Sequence, residues 1–297
     1  MNKLIEAGAL TVAYEETGAA DGWPVILLHG FPYGVRAYDA VAPLLAAAGA
    51  RVFVPWLRGY GPTRFRSSET PRSGQQAAIG KDLLDFMDAL GLGSAVLGGY
   101  DWGGRAACIV AALWPDRVSG LVSQNSYNIQ NIPRSTEPAA PENEQILWYQ
   151  YYLHSERGRQ GLSAHRRDFC RLLWRLWSPK WRFDEATFQQ TAESFDNPDF
   201  VEIVVHSYRH RFGLSTAPGD PTLEQIERQL AAQPPITVPS ITLDGDSDGV
   251  LSALTSSDTH FTGQREHRII KDGGHNLPQE KPEEFAAAIL DVRRRVF

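Results

Sequence analysis

The chain has 297 residues, 42% of them hydrophobic and 22% charged, and a formal net charge of −6. That length supports a sizeable core, as one large domain or a core with an insert, and the negative balance argues against nucleic acid as a main partner. Cys108 and Cys170 are the sole cysteines, each in an apolar helical setting, so neither a disulfide nor a cysteine metal site is expected and a reducing, cytoplasmic compartment is. Residues 1–8 lack the apolar heart of a signal peptide, and no run is long enough to span a membrane.

In chain order, residues 11–14 suggest an antiparallel edge strand, and the apolar runs 25–28, 52–54, 95–97 and 121–122 read as buried strands of a parallel sheet. Helical patterns at 40–48, 80–90 and 105–114 supply the crossovers. The alternation stops near Asn128. From 129 to 235 the pattern is helical, holds half of the eight Trp, and is bounded by Pro133, Pro138 and Pro141 at its entry and Pro234-Pro235 at its exit. Within it, residues 157–182 carry eight Lys/Arg against the single acid Asp168, read as a solvated face rather than a rim for anions. Strand patterns resume at 240–243 and 268–270, and a last helix is expected over 282–296. The expected architecture is an α/β core, residues 1–128 and 236–297, with a mostly parallel central sheet flanked by helices and an inserted helical lid over 129–235.

Gly99-Tyr100-Asp101-Trp102-Gly103 follows the run 95–97 and leads into a helical pattern. A residue with glycines two positions before and after it, between a buried strand and a helix, sits on a nucleophile elbow, a turn too tight for neighbouring side chains. The elbow residue is usually Ser; here it is Asp101. A carboxylate attacking an ester gives an anhydride and gains nothing, whereas attack on an sp3 carbon bearing a leaving group gives an ester that water can cleave. Displacement at carbon is therefore expected, not acyl transfer.

His29-Gly30-Phe31-Pro32 follows the run 25–28, where the turn supplies one backbone N–H to an oxyanion hole and the residue after the nucleophile supplies the other: the Phe31 and Trp102 N–H groups. Asp272-Gly273-Gly274-His275 follows the last strand pattern and places His275 last in the order nucleophile, acid, histidine. The preceding loop, Leu243-Asp244-Gly245-Asp246-Ser247-Asp248-Gly249, offers three aspartates as the orienting acid, the others being turn formers.

These motifs, in this order and over nearly the whole chain, resemble the α/β-hydrolase superfamily. Within it, His29-Gly30-Phe31-Pro32 and Tyr100-Asp101-Trp102-Gly103-Gly104 are similar to soluble epoxide hydrolases and their dehalogenase relatives. The resemblance implies that Asp101 is the nucleophile, that Asp248, ahead of Asp246, orients His275, and that no cofactor or metal is needed. It also implies two lid tyrosines donating to the epoxide oxygen. Residues 148–153 resemble the segment carrying the first, at Tyr149 with Tyr152 as fallback; residues 206–209 resemble the second, at Tyr208. Spacing alone reads them as packing aromatics: Ile146, Tyr149 and Leu153 share a helix face, as do Val201, Val204, Val205, Tyr208 and Phe212.

Haloalkane dehalogenases pair the Trp after the nucleophile with an Asn where this chain has Phe31. Fluoroacetate dehalogenases hold a carboxylate with two Arg; Arg105 matches the second, Trp102 stands in place of the first, and a structural salt bridge is the favoured role for Arg105. The loop 55–61 keeps an Arg-Gly-x-Gly turn but has Trp56 where the superfamily has Asp. His206 and His210 have ligand-like spacing without a third ligand nearby, so no metal is expected. The sequence thus points to an epoxide hydrolase taking a small-molecule epoxide, with a haloacid or haloalkane dehalogenase, or a ligand sensor on a hydrolase fold, as alternatives. It is expected to act as a monomer or homodimer without nucleic acid or membrane.

Overall fold

The computed structural model describes residues 2–215, 220–250 and 258–295. Its sheet has the order β1-β2-β4-β3-β6-β7-β8-β9, with β5 (Arg64–Phe65) paired to β2. β3 (Trp23–Leu28), β4 (Ala50–Pro55), β6 (Ala95–Gly99), β7 (Val118–Gln124), β8 (Ser240–Gly245) and β9 (Arg265–Ile270) run parallel. β1 (Lys3–Ala7) and β2 (Leu10–Thr17) form an antiparallel flank, so the run 11–14 belongs to a strand with β1 outside it rather than to the edge itself. The central strands are rich in apolar residues because helices cover both faces: β6 and β8 are buried at every residue. β9 is largely uncovered, with His267 and Ile269 exposed and only Ile270 buried, as an edge strand can be.

α1 (Val41–Ala47) and the C-terminal helix Pro282–Arg294 pack together on one side, while α2 (Gln76–Ala89) and α3 (Asp101–Leu113) pair elsewhere against the sheet. Two helices begin earlier than their apolar patterns. α2 runs through Gly80 because a side chain there would come within 2.3 Å of Ile109 on α3, so the glycine serves close helix packing rather than marking an end. α3 begins at Asp101 itself. The C-terminal helix is described to Arg294, and residue 296 lies outside the described residues.

Between β7 and β8 the described residues form helices and no strand. These are α4 (Pro141–Ile146), α5 (Trp148–His154), α6 (Glu156–Ala164), α7 (Arg166–Trp177), α8 (Glu185–Ala192), α9 (Phe200–Arg211) and α10 (Pro221–Ala231). The face shared by Ile146, Tyr149 and Leu153 is interrupted, because the helix breaks at Leu147 and Ile146 closes α4. Part of the basic stretch is paired with neighbouring acids: Arg159 with Glu156 and Glu202, Arg167 with Asp196, and Arg171 with Asp168 and Glu185. The helices are anchored to the core loops, for Trp174 Nε1 donates to Pro32 O at 2.8 Å and Asn197 Nδ2 to Thr63 O at 2.8 Å. α10 instead packs on α2, where Glu227 accepts from the Ala77 N–H at 3.0 Å. Among the described residues no helix is long and apolar enough to cross a membrane.

Candidate active site

β6 delivers the backbone into α3 through a turn with Asp101 at φ +50°, a left-handed conformation that costs a non-glycine residue roughly 1–3 kcal/mol. Close backbone approach explains the surrounding glycines: a Cβ on Gly103 would sit 2.0 Å from Leu28 O, and one on Gly30 would sit 2.5 Å from Asp101 Cβ. Asp101 Oδ1 accepts the Phe31 N–H at 2.8 Å. Trp102 lies in the first turn of α3, where leading N–H groups have no intrahelical acceptor. His29 braces the facing turn: its Nε2 accepts the Leu57 N–H at 3.2 Å, which leaves Nδ1 to donate to Gly30 O at 3.0 Å.

Asp101 Oδ2 lies 3.8 Å from His275 Nε2, and His275 Nδ1 is 2.9 Å from Asp248 Oδ2. Asp248 also accepts from Asn125 Nδ2 at 3.1 Å and from the Val250 N–H at 2.9 Å. Its two competitors stand elsewhere. Asp246 accepts the Asp272 N–H at 2.8 Å within a turn, and the Asp244 carboxylate is 3.5 Å from His267. The His275 loop is fixed by Glu280, which accepts the Gly274 and Asn276 N–H groups at 2.9 Å and the Ser178 hydroxyl at 2.7 Å.

Burial would raise the Asp101 carboxyl, but the His275 imidazole, Arg105 and the Phe31 N–H together hold it below its ordinary value. Burial would lower His275, yet Asp248 and Asp101 outweigh it and push the imidazole up to about 10. With Asp101 ionised, the resting histidine is therefore a cation between two carboxylates.

Tyr149 on α5 and Tyr208 on α9 close the site from above, 3% and 1% exposed. Their rings meet edge to face at 5.3 Å; Tyr208 packs on Phe31 at 5.5 Å and Trp102 at 6.0 Å, and Tyr149 on Trp177 at 5.1 Å. Burial raises both phenols, Tyr149 to about 12, so both keep their protons at neutral pH. Tyr152 points away, its ring on Phe169 at 6.1 Å and its hydroxyl beside Gly161. Trp56 belongs to a separate open cleft of about 690 Å³, with Nε1 donating to Ser194 Oγ at 3.3 Å. His206 Nδ1 accepts the Gly74 N–H at 3.1 Å, a packing role.

Arg105 departs from the sequence reading. Among the described residues it forms no salt bridge with a carboxylate; only Nε is engaged, donating to Asn128 O at 3.1 Å, and the side chain lines a cavity of about 280 Å³ with Asp101. Sequence reasoning also missed Arg211, Gln150 and Asn125. Arg211 lies three residues beyond Tyr208, but a basic residue in the last turn of a helix reads as solvated, and Gln150, adjoining Tyr149, shares no helix face with it.

The chain belongs to the alpha/beta hydrolase fold family, matched over residues 24–282. It is similar to the crystal structure of a candidate epoxide hydrolase from Klebsiella pneumoniae, with 46% identity, a TM-score of 0.95, and 99% of this chain and 97% of that one covered. Epoxide hydrolase 3 of Siraitia grosvenorii is 28% identical over 302 residues, 90% of each chain. A haloalkane dehalogenase of Psychrobacter cryohalolentis is 25% identical over 288 residues, covering 96% of this chain and 88% of the relative.

Proposed function

We propose that this chain is an epoxide hydrolase in which Asp101 opens the epoxide and His275 and Asp248 drive cleavage of the resulting ester, beneath a lid formed by residues 129–235. The observation that carries the reading is a pair of buried, protonated tyrosines, Tyr149 and Tyr208, packed over the Phe31–Asp101–Trp102 turn. An opening epoxide leaves an alkoxide that stays on the product, so it needs donors where charge develops and finally a proton. A departing halide needs no proton and only weak N–H donors.

Asp101 Oδ1 is held by Phe31, so Oδ2 is the attacking oxygen. It displaces the ring C–O bond from the rear, and Tyr149 or Tyr208 protonates the oxygen released. The carboxylate becomes a neutral ester, and its charge no longer supports the His275 cation. The imidazolium proton makes good the one lost by the tyrosine, directly or through water, and the neutral His275 Nε2 then takes a proton from water, which attacks Cγ of Asp101; Oδ1 becomes an oxyanion already facing the Phe31 N–H, and the Trp102 N–H in the first turn of α3 is its second proposed donor. Collapse breaks the Cγ–Oδ2 bond, His275 passes the proton it took from water to the departing alkoxide, the diol leaves carrying Oδ2, and the new Asp101 carboxyl gives its proton back to the imidazole. The scheme uses no metal or organic cofactor. Two buried, unpaired cysteines suit a cytoplasmic setting.

A second reading, dehalogenation, has one observation in its favour: Trp102 Nε1 is buried without a hydrogen-bond partner, a donor suited to a halide. Styrene oxide and its phenethyl chloride counterpart separate the two. Diol formation from the epoxide, lost in Asp101→Ala, supports hydrolysis of epoxides; halide release with no diol overturns it. Stoichiometric binding without turnover of either would instead make the chain a sensor.

A further inference from the structure

Two guanidinium groups converge on the cavity that holds Asp101, one from each side: Arg105 from α3 and Arg211 from α9. They are 5% and 9% exposed. Arg211 Nη1 donates to Gln150 Oε1 at 3.1 Å, while its Nε and Nη2 are buried with no hydrogen-bond partner. Neither arginine is ion-paired with a carboxylate among the described residues. Arg58 shows what structural burial of an arginine looks like in this chain: equally enclosed, it holds Asp82 with two bonds of 2.6 Å.

Two adjacent buried cations are unfavourable unless an anion faces them. Their proximity is felt, since burial and then Arg211 pull Arg105 down to about 10. Asp101 and, for Arg105, Glu227 supply negative charge nearby, but the first chemical step consumes that of Asp101, so the pair faces one anion fewer as the ester forms. The acids near the mouth are committed elsewhere, Glu137 to Arg134, and Glu144 to the Tyr151 hydroxyl and the Ala139 N–H.

We infer that Arg105 and Arg211 form a binding subsite for an anionic substituent, and that the preferred substrates are epoxides carrying a carboxylate close to the ring. The epoxide part rests on the function proposed above; the anion subsite does not. A guanidinium matches a carboxylate with two parallel donors, and here one would come from the core and one from the lid, so the acid also ties the lid down over the reacting ring. Arg211 has a competing role. It lies over the Tyr208 ring at 4.9 Å, and through Gln150, whose Nε2 donates to the Tyr149 hydroxyl at 2.9 Å, it could act only by tuning the tyrosines.

The test has a binding arm and a turnover arm. Calorimetric titration of the wild-type protein with phenylacetate and with phenylacetamide is expected to show the acid binding at least about tenfold more tightly, the scale of one charge-assisted hydrogen bond. For 3-phenylglycidate against 1-phenylpropylene oxide, Arg105→Gln and Arg211→Gln are each expected to lower the kcat/KM ratio by about tenfold or more, with Arg211→Lys recovering part of it. Equal binding of acid and amide, with an unchanged ratio in both variants, overturns the subsite. Equal slowing of both epoxides by Arg211→Gln removes Arg211 from it and leaves tyrosine tuning. Should phenylacetate bind selectively while neither epoxide is turned over, the anion subsite stands and the hydrolase reading falls. Turnover of both epoxides without preference or selective binding gives the reverse.

Discussion

Asp101 and His275 divide the proposed chemistry, and single substitutions can take it apart. His275→Gln leaves the nucleophile and the tyrosines in place but removes the base for ester cleavage. The expected outcome is a protein that adds one epoxide mass and stops, with the added mass on the peptide containing Asp101; unmodified His275→Gln protein beside an active wild type would contradict the two-step scheme. Tyr149→Phe and Tyr208→Phe each remove one donor while keeping the packed ring. Loss of one oxyanion-type donor costs about 2.7–4 kcal/mol, so each variant is expected to lose about a hundred- to a thousandfold in kcat on epoxides, and the double variant nearly all. Any activity on alkyl halides is expected to change far less. If the rate of diol formation survives both substitutions, the tyrosines serve only packing. The convergence of Asp101, Phe31, Trp102 and His275 was legible in the sequence because each lies on a glycine-marked turn after a strand of a parallel sheet, and such turns gather at one end of it. Arg211 was not, because an arginine near the end of a helix ordinarily reads as a solvated charge that favours the helix dipole, and only packing reveals that it turns inward.

At the scale of the element, the strand-turn-helix from β6 to α3 stores strain to raise Asp101, the proposed nucleophile. Gly103 has no room for a methyl group, with Leu28 O at 2.0 Å from the place a Cβ would take. Gly103→Ala is therefore expected to lose about 3 kcal/mol or more of unfolding free energy by denaturant titration, the upper range for overpacking, because the obstruction is backbone that cannot rotate away. The opposite sign is expected at the nucleophile: Asp101→Gly relieves a positive φ that Asp101→Ala keeps, and should be the more stable of the two inactive variants by about 1 kcal/mol. Equal stabilities would mean that the turn is relaxed. The buried strands were legible as unbroken apolar runs because helices cover both faces of the sheet. Helix boundaries were not, since Gly80 is tolerated only through contact with Ile109, and the break at Leu147 divides a stretch whose apolar spacing continues across it.

Across the whole molecule, the charges buried beneath the helices between β7 and β8 make stability depend on pH. Asp248 and Asp101 hold His275 near 10 in the folded protein, against an ordinary value of 6.5. A histidine raised on folding stabilises the native state fully below its unfolded value, and that contribution disappears as pH rises through the folded one. Wild-type protein is thus expected to lose thermal stability between pH 6.5 and about 10 more steeply than His275→Gln, in which the tyrosines and other groups still titrate but this imidazole is gone. In the proposed scheme the same coupling orders the two steps. While Asp101 is ionised the imidazole is a cation and cannot act as a base; neutralising Asp101 lets it release its proton at lower pH. Asp101→Asn mimics the neutral ester, so the His275 titration followed by NMR of its ring nitrogens is expected to move down in that variant. The rate of ester cleavage in single turnovers should then rise with pH through this lowered value, not through the one of the resting enzyme. A His275 titration unmoved by Asp101→Asn would mean that Asp248 alone sustains the cation, and that alkylation of the nucleophile does not prepare the base for the second step.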